Sequence, residues 1–181
     1  GADTAYVYNN TIIGNAYFGI WVHRTFPTAW IVNNTIAYNG RGAEYLPNSL
    51  WDAGIAVNGD YPHFSPLDIH IIGNIVYNNR GHGIRYTWCH GNCVGPFDKI
   101  PNASIKEIRS NTIFGNEFDG IWHDFSCPIE DVRNNIIVNN GWYGINNTNG
   151  SINSISYNNV WNNSLGGYNG TTAGTGDISI D

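Results

Sequence analysis

The feature that most constrains this chain is a repeat. The segment N-N-T-I-I-G-N-A-Y-F-G-I-W-V, beginning at Asn9, returns as N-N-T-I-A-Y-N from Asn33 and as G-N-I-V-Y-N-N-R-G-H-G-I from Gly73. It returns again as S-N-T-I-F-G-N-E-F-D-G-I-W from Ser110 and N-N-I-I-V-N-N-G-W-Y-G-I from Asn134, with a degenerate sixth copy at Asn158. Taking the second Asn of each pair as marker, Asn10, Asn34, Asn74, Asn111, Asn135 and Asn159 are spaced by 24, 40, 37, 24 and 24 residues. One turn of so short a unit cannot bury its apolar side, so stacked neighbours must make the core.

Three inward columns recur in register, which gives three short strands per turn. They are Val7, Ile31, Ile71, Ile108 and Val132; Ile12, Ile36, Val76, Ile113 and Ile137; and Ile20, Ile55, Ile84, Ile121 and Ile145. Composition agrees: 24 Ile against 4 Leu, with no Met and no Gln, favours pleated sheet and excludes a helical bundle. The reading is an all-β parallel β-helix of about six rungs of 24 residues, with loop insertions in rungs 2 and 3. The marker asparagines are expected at a corner, where Asn tolerates left-handed backbone and its amide can bond the Asn of the next rung.

The motif N-N-T-I-x-x-N-x-x-x-G-I-x-V resembles the right-handed parallel β-helix repeat proteins, often called pectin-lyase-like, over most of the chain up to about Asn163. The resemblance implies the right-handed fold. Its members include polysaccharide lyases, glycoside hydrolases, epimerases, tailspikes, adhesins and a periplasmic copper-related protein, so the fold leaves activity open. Residues 1–181 are expected to form one β-helix domain, a fragment or subunit lacking caps of its own, which allows end-to-end self-association.

Inserted loops point to a site. Extra residues lie between Asn39 and Gly54, after the Gly54-Ile55 pair, and after Ile84, so they flank the Gly-Ile strands on both sides. With each Ile inward, the first outward column reads Trp21, Ala56, Arg85, Trp122 and Asn146, and the second reads His23, Asn58, Thr87, Asp124 and Thr148. Small residues between two tryptophans roughly 14 Å apart suit an extended sugar chain. The expected substrate-binding residues are Trp21, Trp122, Asn58, Thr87, Trp88 and Trp51. The catalytic candidates are Asp124, Arg85, His23 and Asp60: Asp60 and Asp124 fall roughly 10 Å apart, near inverting-hydrolase spacing, and Arg85 or His23 would serve a lyase as charge neutraliser or base. An ion pair of Arg85 with Asp124 is the plainer alternative.

Other polar residues read first as fabric. His123 is expected inward, where other rungs carry Val22, Val57 and Tyr86. Cross-rung pairs are expected for His82 with Asp119, Arg80 with Glu117, and His70 and Glu107 with Arg109 and Arg133. The register puts Cys89 almost above Cys127, so a disulfide from Cys127 to Cys89 or Cys93 is expected, with a zinc site of three Cys and His90 as the weaker alternative.

The expected partner is a polysaccharide, bound and cleaved by a lyase or hydrolase at the cell surface or outside the cell. The alternative is a non-catalytic structural or adhesive module or filament subunit. No cofactor is expected, with calcium allowed and metal handling as a minor third reading. The net charge of −6 argues against nucleic acid, and no apolar run is long enough for a transmembrane helix. Sequons at Asn9, Asn33, Asn102, Asn146, Asn149, Asn162 and Asn169 allow N-glycans.

Overall fold

The computed structural model describes residues 4–23, 28–40, 52–59, 68–88, 104–124 and 128–180, with the backbone alone for His23, Gly59 and Trp88. Its strands, numbered in chain order, form three parallel six-stranded sheets. The first holds β1 (Thr4–Tyr8), β4 (Thr28–Val32), β7 (Asp68–Ile72), β10 (Ser104–Arg109), β13 (Val132–Arg133) and β16 (Ile155–Ser156). The second holds β2 (Thr11–Ile13), β5 (Thr35–Ala37), β8 (Ile75–Tyr77), β11 (Thr112–Phe114), β14 (Ile136–Val138) and β17 (Asn159–Trp161). The third holds β3 (Phe18–His23), β6 (Ala53–Gly59), β9 (His82–Trp88), β12 (Ile121–Asp124), β15 (Tyr143–Asn147) and β18 (Gly166–Asn169). Every third strand pairs, which is a right-handed parallel β-helix of six rungs.

The three apolar columns pair as the repeat requires: Val7 with Ile31, Ile113 with Ile137, Ile84 with Ile121. Their Ile and Val side chains fill one core running the length of the stack. β-branched side chains suit it because a pleated strand restricts χ1 little further.

The corners divide between two residues what the sequence assigns to one. The left-handed backbone falls on the residue before each marker, as at Asn9 (φ 56°), Asn33 (φ 56°), Ser110 (φ 56°) and Tyr157 (φ 55°). The following asparagine points inward and builds the ladder Asn10–Asn34–Asn74–Asn111–Asn135–Asn158. At each step the backbone N–H and Nδ2 donate to the next Oδ1 at 2.9–3.1 Å. The sixth marker is therefore Asn158 and not Asn159, because Tyr157 takes the left-handed position. A second ladder of the same geometry, Asn15–Asn39–Asn79–Asn116–Asn140–Asn163, stands at the next corner.

Glycine stands second in β3, β6, β9 and β15 and just before β12, because there its Cα–H faces the core beside that ladder. A Cβ on Gly83 would lie 2.5 Å from Ile113 Cγ2 and 2.6 Å from the Gly120 carbonyl. Glycine and the following isoleucine thus both turn inward, and the residue before the glycine turns out. This adds a column to the outer face of the third sheet: Phe18, Ala53, His82, Asp119 and Tyr143.

Candidate functional site: the outer face of the third sheet

Aromatic side chains of this face and of the turns leading into it gather in two groups. In rung 1, Phe18 and Trp21 lie 5.5 Å apart, with Trp21 half exposed. In rungs 4 and 5, Phe118 and Trp142 pack at 4.4 Å, and Trp122 stacks on the His82 ring at 4.6 Å and 20°. Phe118 and Trp142 also flank that imidazole, at 5.3 and 6.1 Å. Trp122 is further fixed by its indole N–H, which donates to Thr148 Oγ1 at 3.3 Å, while the Thr148 hydroxyl donates to Asp124 Oδ1 at 3.0 Å.

Beneath this pad lies a sealed polar pair. His82 and Asp119 are 1% and 0% exposed, with Nδ1 and Oδ2 3.2 Å apart. The Asp119 backbone N–H also donates to His82 Nδ1, at 3.3 Å. Asp119 also accepts from the Tyr143 backbone N–H at 2.9 Å and Asn146 Nδ2 at 3.1 Å, so its lone pairs are well used. Buried charge is tolerated on these terms, with a partner and several donors.

Arg85 fills the space between the two aromatic groups. It is 2% exposed, its Nη2 donates to Asn58 Oδ1 at 3.3 Å, and its guanidinium carbon stands 5.5 Å from the Phe18 ring centre. To reach rung 1 it crosses Ala53 and Ala56, whose small side chains leave the room. The gap the alternation offers to a sugar is thus occupied by the protein on the side toward Trp21. Arg85 turns toward rung 2, away from Asp124, which is held by Thr148.

Among the other expected site residues, Asn58 and Thr87 are buried. The side chains of His23 and Trp88 and all of Asp60, Trp51, Cys89, Cys93, His90 and Cys127 lie outside the described residues, as does the disulfide. His123 is inside the core as expected, stacked on Tyr86 at 5.3 Å and 7°. The sequon asparagine Asn146 is buried. What the alternation missed is the column headed by Phe18, and the gathering of Phe118 and Trp142 around His82.

The first sheet carries the charge. His70 stacks on Trp30 at 3.7 Å and bonds Glu107 at 2.9 Å, and Glu107 also accepts from Arg109 and Arg133. Burial pushes the Glu107 carboxyl up, but those three hydrogen bonds outweigh it and hold it below the ordinary carboxylate range. Arg80 and Glu117 face each other more loosely, at 3.9 Å across the surface. The second sheet's strands carry no charged residue.

These features define a right-handed parallel β-helix protein with an aromatic outer face. Within that class the chain belongs to the NosD family: the description "Periplasmic copper-binding protein (NosD)" matches residues 65–174, more than half of the chain. No curated protein and no solved structure matches. The family match replaces the pectin-lyase-like resemblance as the assignment, and it overturns the expectation of no cofactor beyond calcium, since the family is described as copper-binding.

The described residues do not themselves fit a copper ion. No three His, Cys, Asp or Glu converge among them, and the chain has no methionine to supply a thioether. His70, His82 and His123 are each engaged as described above. Among the described residues, no helix is long and apolar enough to cross a membrane.

Proposed function

We propose that this chain is a glycan-binding β-helix working outside the cytoplasm, with the outer face of its third sheet as the binding surface. The observation that carries the reading is the pad of Phe118, Trp122 and Trp142, with Trp122 held from below by His82 and at its edge by Thr148. Preorganised aromatic faces suit the C–H faces of sugars, and Asp124 and Thr148 beside the indole suit hydroxyls. The periplasmic family supports the location. Binding is favoured over cleavage because Arg85 and Asp124, the described catalytic candidates, are engaged by Asn58 and Thr148. The test is retention on a panel of insoluble polysaccharides, with tryptophan emission as readout. Wild type should bind at least one, and Trp122→Ala and Trp142→Ala should each weaken it about tenfold or more. Wild type binding none, or both variants binding as wild type does, overturns the reading.

A second reading, copper handling, is favoured by the family match. Titration of the reduced protein with Cu(I) against a chromophoric chelator tests it. Absence of competition would remove it.

A further inference from the structure

We propose that the glycan selected by this face is neutral and not uronic; the inference rests on the glycan reading above. Three observations carry it. First, the ionisable groups beneath the pad are sealed, with His82 and Asp119 at most 1% exposed and Arg85 2% exposed. A ligand on the pad meets the indole and phenyl faces, and these three groups are out of its reach. Second, among the described residues the charged group beside the Trp122 indole edge is Asp124, held there through Thr148 at 3.0 Å. Arg80, two residues before His82 in the chain, already faces Glu117 at 3.9 Å. Third, the accessible cations of the described sheets, Lys106, Arg109 and Arg133, lie on the first sheet, where each pairs with a carboxylate.

A uronic polymer carries a carboxylate on every sugar. Laid along the pad, it brings one beside Asp124 and others along a chain whose formal net charge is −6. Two like charges about 5 Å apart cost about fourfold in affinity even at the dielectric of water, and successive sugars repeat the cost. A neutral glycan presents the same C–H faces without it.

The experiment is calorimetric titration of the full chain with hexasaccharides of β-linked glucose, xylose and mannose, and of galacturonic and mannuronic acid, at low and at physiological salt. The expected result is binding of at least one neutral hexasaccharide, at least tenfold tighter than either uronate. Neutral binding should be unchanged by salt, whereas uronate binding should strengthen as salt screens the repulsion. Asp124→Asn should narrow the gap between the classes. A uronate that binds more tightly and is weakened by salt overturns the neutral assignment and leaves the glycan reading standing. Binding of neither class overturns both.

Discussion

Asp177 occupies the place of a seventh asparagine next to Asn158. Its Oδ1 accepts the Asn158 backbone N–H at 2.7 Å and Nδ2 at 3.1 Å, repeating the ladder step with a carboxylate. Its Oδ2 accepts from the Tyr168 hydroxyl at 2.6 Å and the Gly174 N–H at 2.8 Å. An asparagine has one acceptor oxygen, so the carboxylate suits a position that must serve donors on both sides. Burial pushes the Asp177 carboxyl up, but the bonds from Tyr168, Asn158 and Gly174 prevail and hold it below its ordinary value.

A group whose folded pKa is depressed contributes stability that is fully present above its unfolded pKa and lost as pH falls through the folded one. Asp177→Asn should therefore cost about 1–2 kcal/mol at neutral pH. The difference from wild type should shrink as pH falls below about 4, the unfolded value. Urea titrations of both proteins across the acid range check this, and a constant difference would contradict it.

The ladder is buried in its middle and exposed at Asn10. Asn111 donates to Asn135 and to the Ile71 carbonyl and accepts from Asn74, all while buried. Asn111→Ala strands several of these groups and should cost about 3 kcal/mol. Asn10→Ala, exposed in the first rung, should cost less than about 1 kcal/mol. Equal losses in denaturant unfolding would mean that the ladder works as separate pairs.

Gly83→Ala places a methyl 2.5 Å from Ile113 Cγ2, 2.6 Å from the Gly120 carbonyl and 3.0 Å from Asn116 Nδ2. Two of these three neighbours belong to core and backbone that cannot retreat. The variant should lose about 3 kcal/mol or fail to fold, read by thermal melting. Ala56, outward on the next rung, gives the contrast: Ala56→Gly should cost about 1 kcal/mol or less through strand propensity.

The imidazole under Trp122 both stacks and bridges. His82→Phe keeps an aromatic surface there but removes the link to a carboxylate that stays buried, so it should destabilise by about 3 kcal/mol. Asp119→Asn in the same background should recover part of that loss, a coupling read from the double-mutant cycle. Strict additivity would show that the pair is unlinked.

The inward columns were legible in the sequence because a 24-residue period aligns three columns of Ile and Val, rung upon rung, and these are the side chains that fill the core. The corner was less legible. Asn9-Asn10 shows two asparagines and does not say which takes the left-handed backbone, and Tyr157-Asn158-Asn159 hides the answer behind a tyrosine that ordinarily avoids it. The second ladder was present in the spacing of Asn10 to Asn15 and Asn111 to Asn116, five residues in each case. Of the site, Trp122 and Asp124 followed from strand alternation. Phe18 and the outward turn of His82 did not, because alternation counted from Ile84 fails where Gly83 also faces inward. That Arg85 would lie down across Ala53 and Ala56 depends on the reach of a long side chain, which no periodicity encodes.

Directional asparagine ladders also set how the molecule should respond to force. The hydrogen bonds between rungs run along the stacking axis, so tension on that axis loads one inter-rung step at a time and peels it open. Pulling should give a low sawtooth with a spacing of about one rung's contour length, longer where the 40- and 37-residue rungs unwind.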